Sequence, residues 1–404
     1  MLGAIYLITC VVALRKAGPS ISLLYVIQGS YAVLGLFILD SSFEVFMRYQ
    51  VLSYLFFLFG FMLSGGLGYS RVRLPEIGRR SHTYAFLAVM IMLIVISVYH
   101  YSVVGIPFFS ENIDVTRFTS DSGMFGIPSR LAIYGPMLTL MILCSLYNAS
   151  LVNIRQFFFF LIPIVILLGM QGNKSSLIQV LAGMLIVYGF LKRRNILRNG
   201  AIAFVSIAVL YVFVVFSKLQ SLSDQSALQY LMARVTTILF TPGLELYESD
   251  IHFELLLNSP ILNDILLPAS RLISGNIESL NIQLSREIYG VMSGFTVPVT
   301  PGFFSYHSYI FGPIISLLIC FLLGVFVSKL VKGIAAAGIL KFSVICYIQY
   351  WLYIGFTSGN VYYLVMNTLM PLLIICIFYK FIRSLFQTYV YSNKEPFYRK
   401  YLIS

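Results

Sequence analysis

Charged side chains are scarce in this sequence. Asp, Glu, Lys and Arg make up only 10% of its 404 residues, whereas 59% are hydrophobic. An ordinary soluble domain is about a quarter charged, since its surface must face water. The mean hydropathy of +0.89 also lies outside the soluble range. The composition therefore excludes a soluble globular protein and indicates one whose surroundings are largely lipid.

The sequence also lacks the cysteine spacing of a disulfide framework or a metal-thiolate site. Its cysteines all fall inside apolar runs, where such residues pack as small hydrophobic side chains; they are Cys10, Cys144, Cys320, Cys346 and Cys376. The net charge of +12 is not gathered into one soluble patch, so no nucleic-acid partner is expected. The densest acidic cluster, from Glu245 to Glu254, is interpreted as solvated loop charge. We therefore expect no metal and no cofactor, and the N-terminus lacks the features of a removable signal peptide.

Long apolar runs are abundant. A bilayer core of about 30 Å needs roughly 20 apolar residues per helix, and backbone inside it must be helical or form a closed barrel. The runs are continuous and do not alternate, which excludes a barrel. The sequence thus predicts an all-α polytopic membrane protein with about eleven transmembrane helices. These are placed near residues 1–14, 21–39, 50–68, 84–104, 131–147, 156–170, 175–191, 200–217, 309–328, 342–358 and 361–380.

The charges between these runs predict the topology. Most of the 27 basic residues fall in one alternating set of loops, together with the C-terminal tail. The positive-inside rule makes that set cytoplasmic, so the N-terminus is predicted outside and the C-terminus inside. Residues 1–404 are predicted to form a single integral membrane domain. The longest outer loop, 218–308, has the length of a functional loop and includes an amphipathic stretch at 228–240.

Eight basic residues fall outside the cytoplasmic set: Arg48, Arg117, Arg130, Lys174, Lys218, Arg234, Arg271 and Arg286. Ionisable groups near a membrane are costly unless they are used. The planar fork of arginine suits phosphate, and several such cations converging on one cavity would hold a diphosphate. The alternative is a set of solvated arginines paired with neighbouring carboxylates, as Asp114 and Glu287 permit for Arg117 and Arg286.

His307 lies where the long loop returns to the membrane, within Phe303-Phe304-Ser305-Tyr306-His307-Ser308-Tyr309. An imidazole titrates near neutral pH, so it is a candidate base for a hydroxyl group. The alternative interpretation is an interfacial histidine in an aromatic belt.

Three stretches resemble the Wzy-type polymerases of bacterial O-antigen and capsule repeat units, which are related to the O-antigen ligases. The first is Asp114-Val115-Thr116-Arg117-Phe118, in an outer loop. The second is Gly172-Asn173-Lys174-Ser175-Ser176-Leu177, which opens a helix and is similar to the Ser-Arg-Gly turn of the family. The third runs from Thr300-Pro301-Gly302-Phe303-Phe304 through His307 to Gly312. Polymerases often have a glutamate where this chain has Tyr306-His307, whereas ligases use a histidine, so both activities stay open.

The resemblance implies a GT-C-like helical bundle and a glycosyltransferase in the bacterial inner membrane. Such an enzyme joins undecaprenyl-diphosphate-linked repeat units on the periplasmic face and needs no nucleotide. His307 and Arg286 would then be catalytic, and Arg117, Lys174, Arg234 and Arg271 would bind substrate. Membrane lipid is an expected partner, and a chain-length regulator and a flippase are conceivable ones.

Two further alternatives come from other classes of protein. A transporter or lipid-linked oligosaccharide flippase would place ionisable groups near mid-membrane and often contains repeats. This chain has almost no charge at the centres of its apolar runs and no visible repeat. A metal-dependent transferase would need early acidic residues, for which Asp40 and Glu44 are the candidates.

Overall fold

In the computed structural model, the described part of the protein is almost entirely α-helical and contains no strand. The structure describes residues 1–17, 19–38, 43–64, 79–110, 126–171, 176–191, 239–248, 259–266, 280–289, 301–332, 337–359 and 361–392. Helices satisfy their own backbone hydrogen bonds, which is the requirement that lipid imposes on a chain this apolar.

The described residues form fourteen α-helices. The first seven are α1 (Leu2–Ala17), α2 (Pro19–Ile38), α3 (Glu44–Leu63), α4 (Arg79–Val104), α5 (Ile127–Asn148), α6 (Ile154–Met170) and α7 (Ser176–Leu191). The remainder are α8 (Leu239–Glu248), α9 (Pro260–Leu266), α10 (Leu280–Tyr289), α11 (Phe303–Phe311), α12 (Pro313–Lys332), α13 (Ile339–Ser358) and α14 (Val361–Ser392). A short 3₁₀ helix, Pro107–Phe109, follows α4.

Among the described residues, six helices are long and apolar enough to cross a membrane. They are Glu44–Leu63, Arg80–Val104, Ile127–Asn148, Pro313–Lys332, Ile339–Thr357 and Asn367–Gln387. The protein is therefore an all-α membrane protein, as the sequence predicts. Ten of the eleven predicted spans coincide with described helices, and the one at 200–217 lies outside the described residues. The number of eleven crossings stays a prediction.

Several predicted boundaries differ from the structure by a few residues, and one of them conceals a break between two helices. The span expected to begin at residue 309 begins at Pro313, because Gly312 separates it from the distinct helix α11. Gly312 has φ +82°, a backbone conformation that L side chains rarely adopt. Its carbonyl accepts hydrogen bonds from the backbone N–H and the hydroxyl of Ser316, which starts the new helix.

The chain divides into two compact units. Unit 1 comprises Met1–Arg71, Tyr188–Ala335 and Ile348–Met366. Unit 2 comprises Val72–Val187, Ala336–Tyr347 and Asn367–Ser404. Unit 1 includes α11 and the described helices of the segment 218–308, which the sequence predicts to be an outer loop.

Unit 1 is built around a close crossing of α3 and α12. A Cβ atom on Gly60 would lie 2.1 Å from the Phe321 carbonyl oxygen, and one on Gly324 would lie 2.1 Å from that of Phe57. The two backbones approach each other because neither glycine has a side chain. Small residues at crossings are the usual way in which helices gain dispersion contacts in lipid, where the hydrophobic effect does not drive association.

Unit 2 packs α5 against α4 and α6. Nearly every residue of α5 from Leu131 to Leu146 is buried, which makes it the central helix of this unit. The first turn of α6 closes with a capping box. Asn153 accepts a hydrogen bond from the backbone N–H of Gln156, whose side chain accepts one from the Asn153 N–H.

Candidate functional site

Helix α11 carries the candidate site. It is nine residues long and lies near the end of the segment predicted to be a long outer loop, between Gly302 and Gly312, both of which have positive φ. Gly302 also meets Gly359 closely, since a Cβ atom on Gly359 would lie 2.7 Å from the Gly302 carbonyl oxygen. The start of α11 therefore packs closely against the end of α13. A glycine with positive φ lies at each end of α11.

Three consecutive residues of α11 form hydrogen bonds to three other helices of unit 1. Ser305, Tyr306 and His307 contact Gln50 of α3, Asp264 of α9 and Tyr362 of α14, respectively. Adjacent residues on a helix point about 100° apart, so one turn reaches three neighbours. Helix α11 therefore joins α3, α9 and α14, and its polar groups are held in fixed positions.

The hydrogen bonds of His307 determine its tautomer. Nδ1 lies 2.7 Å from the Phe303 carbonyl oxygen, which can only accept, so Nδ1 carries a proton and donates it. In a neutral imidazole Nε2 is then the acceptor, and it receives a hydrogen bond from the Tyr362 hydroxyl at 2.9 Å. The basic nitrogen of His307 therefore points at Tyr362.

His307 is fully buried. Burial lowers its pKa to about 4, although the hydrogen bond to the Phe303 carbonyl favours the charged form. The imidazole is therefore neutral at pH 7. Tyr362 is only partly buried, and burial raises the pKa of its hydroxyl. The basic nitrogen of His307 is thus hydrogen-bonded to a hydroxyl that is less buried than the imidazole itself.

Asp264 is a buried group that the sequence interpretation missed. Its Oδ2 accepts a hydrogen bond from the Tyr306 hydroxyl at 2.6 Å, and Tyr306 Oη also lies 3.2 Å from the Pro260 carbonyl oxygen. Burial raises the pKa of the carboxyl to about 6, and the Tyr306 hydrogen bond opposes that effect. A signal was present in the sequence, because Asn263 and Asp264 stand together between the apolar pairs Ile261-Leu262 and Ile265-Leu266.

An apolar cluster surrounds this carboxyl and Tyr306. Leu246 of α8 and Leu280 and Leu284 of α10 bury the Tyr306 ring. The removal of water strengthens the electrostatic interaction of any charge placed there. This environment also raises the pKa of Tyr306 well above its ordinary value, mainly through desolvation and then through the Asp264 charge.

Of the predicted site cations, only Arg286 falls among the described residues. It is exposed in the last turn of α10, on the other face of that helix from the buried Leu280 and Leu284. Arg117, Lys174, Arg234 and Arg271 lie outside the described residues. Their convergence on one cavity with His307 stays a prediction.

Two more of the eight basic residues outside the predicted cytoplasmic set are described. Arg48 pairs with Glu44 one turn earlier, and both side chains are exposed. This exposed ion pair agrees with the alternative interpretation of these basic residues, in which they are solvated and paired with neighbouring carboxylates. Such a pair contributes little to stability. In unit 2, Arg130 donates from Nε to the Oδ1 atom of the buried Asn367 at 2.8 Å, which positions its guanidinium at the start of α5.

The acidic cluster is described only in part. Glu245 and Glu248 lie on α8, and its other members lie outside the described residues. Within the described ranges, no group of three or more His, Cys, Asp or Glu side chains could hold a metal ion.

Comparison with known proteins gives no relative. No protein-family model, no curated protein and no solved structure matches the chain.

Proposed function

We propose that this protein is a glycosyltransferase of the bacterial inner membrane that polymerises undecaprenyl-diphosphate-linked repeat units. In this proposal the chain crosses the membrane about eleven times as a GT-C-like bundle, and residues 218–308 face the periplasm. The observation that carries the proposal is the His307–Tyr362 pair, which directs a neutral, fixed imidazole toward a partly exposed hydroxyl at the end of that loop.

The reaction requires a base and an electrostatic partner for the leaving group. The acceptor hydroxyl attacks the anomeric carbon of the donor glycan, and the bond from that carbon to the diphosphate oxygen breaks. The acceptor proton passes to the Tyr362 oxygen while the Tyr362 proton passes to His307 Nε2. The Nδ1–H bond to the Phe303 carbonyl stabilises the resulting imidazolium. Because burial makes His307 a weak base, this transfer must accompany departure of the diphosphate.

The departing lipid diphosphate carries away the electron pair and gains negative charge. Cations placed where that charge develops lower the barrier. We assign this role to Arg286 together with Arg117, Lys174, Arg234 and Arg271. Arg286 suits this role because its side chain is an exposed cation on α10. The same helix packs Leu280 and Leu284 against Tyr306, the residue before His307.

The test is elongation by the purified protein in liposomes supplied with undecaprenyl-diphosphate-linked repeat units. His307→Asn and Tyr362→Phe are each expected to slow elongation on the order of a hundredfold, the usual contribution of general acid–base catalysis. Tyr49→Phe is the matched control. Tyr49 stacks on Phe304 of α11, the helix that carries His307, and phenylalanine at position 49 should keep this ring contact. Elongation at the wild-type rate by both site variants would exclude the proposed base.

The presence of His307 also favours a second candidate, the O-antigen ligase, because a ligase uses a histidine at a comparable junction. Deletion in the native host distinguishes the two activities. Loss of a polymerase leaves one repeat unit on the lipid A core, whereas loss of a ligase leaves a bare core.

A further inference from the structure

The rotation of α11 about its own axis determines where His307 points. Gly302 and Gly312 interrupt the helix at its two ends with positive φ, so no continuous helix carries its orientation into the flanking chain. Phe303 and Phe304 stack on aromatic rings of α13 and α3, respectively, but the burial of apolar rings is not strongly directional. Hydrogen bonds weaken steeply when they bend, so they fix the rotation more closely.

The hydrogen bond between Tyr306 and Asp264 is the strongest of the three that this turn of α11 forms with other helices. It joins a hydroxyl to a carboxyl group at 2.6 Å, whereas the bonds of Ser305 and His307 join neutral groups at 3.0 and 2.9 Å. Hydrogen bonds to an ionised group are roughly twice as strong as neutral ones. Tyr306 is fully buried, so water does not compete for its hydroxyl.

Asp264 is itself held in place from more than one side. The carboxyl accepts a hydrogen bond from the backbone N–H of Leu280, the first residue of α10, as well as from Tyr306. The other acceptor near the Tyr306 hydroxyl is the carbonyl oxygen of Pro260, which is neutral and lies farther away, at 3.2 Å. Asp264 therefore decides the direction in which this hydroxyl donates.

The carboxyl of Asp264 is costly to bury. The residue is fully buried, and its Oδ1 atom has no hydrogen-bond partner among the described residues. Replacement of buried charged groups by apolar residues of similar volume is often neutral or stabilising, so stability is a poor reason for a carboxylate here. A directional acceptor for Tyr306 is a better one.

Tyr306 and His307 are neighbours in one rigid helix, so a rotation that moves one side chain moves the other. An imidazole nitrogen lies about 6 Å from its helix axis, and a rotation of about 10° displaces it by about 1 Å. A displacement of about 1 Å can slow a reaction on the order of a hundredfold. A small rotation of α11 is therefore enough to impair the His307–Tyr362 pair.

We propose that Asp264 is a positioning residue: through Tyr306 it fixes the rotation of α11 and so directs His307 Nε2 at the Tyr362 hydroxyl. The hydrogen bonds described for Asp264 do not include His307 or Tyr362, so it acts through Tyr306. Its effect on the reaction rests on the proposed function, whereas its effect on the orientation of His307 does not.

The first measurement is glycan elongation in liposomes, with kcat and KM determined separately. Tyr306→Phe keeps the ring and removes the hydrogen bond, whereas Asp264→Ala removes the acceptor. Each should lower kcat on the order of tenfold and leave KM unchanged, since the Pro260 carbonyl or the packed ring limits the rotation. The double variant should be no slower than either single variant, because both remove the same bond. Asp264→Asn keeps an acceptor oxygen and should retain most of kcat.

The second measurement does not depend on activity. Nitrogen-15 NMR of the full chain with labelled histidine reports the tautomer of each of its four imidazoles, and the His307 signals are those missing from His307→Asn. Tyr306→Phe should shift the Nδ1 and Nε2 signals of His307. Tyr247→Phe is the matched control and should leave them in place, because the Tyr247 ring contacts Phe304 of α11 and phenylalanine should keep that contact.

Unshifted His307 signals in Tyr306→Phe would overturn the proposal, and so would an equal shift in Tyr247→Phe. Wild-type kcat in Tyr306→Phe, under conditions in which His307→Asn is slow, would overturn it as well. Absence of elongation by the wild-type protein would instead count against the proposed function, and the His307 signals would then decide the role of Asp264. If Asp264→Ala does not fold, Tyr306→Phe still removes the same bond.

Discussion

The Tyr306 hydroxyl donates a hydrogen bond to Asp264 Oδ2 at 2.6 Å, inside a core that excludes water. The next residue, His307, is buried as well, and its hydrogen bonds go to different partners. Burial favours the neutral form of both ionisable groups. It therefore raises the pKa of the Asp264 carboxyl and lowers that of the His307 imidazole.

Asp264 is expected to make the folded state less stable as the pH rises. The pKa of its carboxyl is about 6 in the folded protein, above the ordinary value of 3.8. Its contribution is therefore fully present below pH 4 and is lost as the pH rises through 6. The loss is about 3 kcal/mol. Because His307 contributes in the opposite direction, Asp264→Asn should leave the His307 contribution alone, so the Tm of this variant should rise between pH 4 and pH 7. A pH profile of Tm identical to that of the wild type would contradict the assignment.

His307 is expected to act in the opposite direction over nearly the same range. Its pKa falls from 6.5 to about 4 on folding, so the folded state binds fewer protons than the unfolded state. The stability it contributes is present above pH 6.5 and is lost as the pH falls toward 4, again by about 3 kcal/mol. In His307→Gln the pH dependence of Tm should therefore come from Asp264 alone, so Tm should fall as the pH rises from 4 to 6. A Tm profile in this variant identical to that of the wild type would show that His307 does not titrate as described.

The crossing of α3 and α12 gives a prediction on packing. Gly324→Ala places a Cβ atom 2.1 Å from the Phe57 carbonyl oxygen, so the two helices must separate. We expect a loss of about 1–3 kcal/mol, the usual cost of overpacking, measured as a lower Tm in detergent. Gly169→Ala is the control, because no atom lies within 4 Å of its added Cβ. This control should be neutral or slightly stabilising, since alanine favours helix. Equal Tm values for the two variants would contradict the described crossing.

Arg286 gives a prediction on activity that depends on the proposed function. Arg286→Ala should reduce glycan elongation in liposomes on the order of a hundredfold, because a group that stabilises transition-state charge contributes about that much. Insertion and Tm should not change, since the side chain is exposed. Glu287→Gln, at the neighbouring exposed position, is the control and should keep wild-type elongation. Long glycan chains made by Arg286→Ala would remove Arg286 from the mechanism.

Most of the helices could be predicted from the sequence because their signal is local. A run of apolar residues long enough for a bilayer identifies a membrane helix whatever it packs against. The break at Gly312 was missed because hydropathy is continuous across it, although the Gly312-Pro313 pair is a helix-breaking signal in the sequence. The positive φ of Gly312 separates α11 from α12, which begins at Pro313. The importance of Gly60 and Gly324 was likewise not visible, since a glycine in an apolar run has many possible neighbours.

An all-α membrane protein follows from the amino-acid sequence alone, and His307 stands out in it by its position at the end of the predicted long loop. The chemistry open to His307 depends on the fold, because its Nε2 atom faces Tyr362, 55 residues further along the chain. Tertiary structure also revealed Asp264, whose hydrogen-bond partner Tyr306 is 42 residues away. The acidity of a buried group depends on its distance from water and on its neighbours in space, and neither is encoded by the residues beside it in the chain.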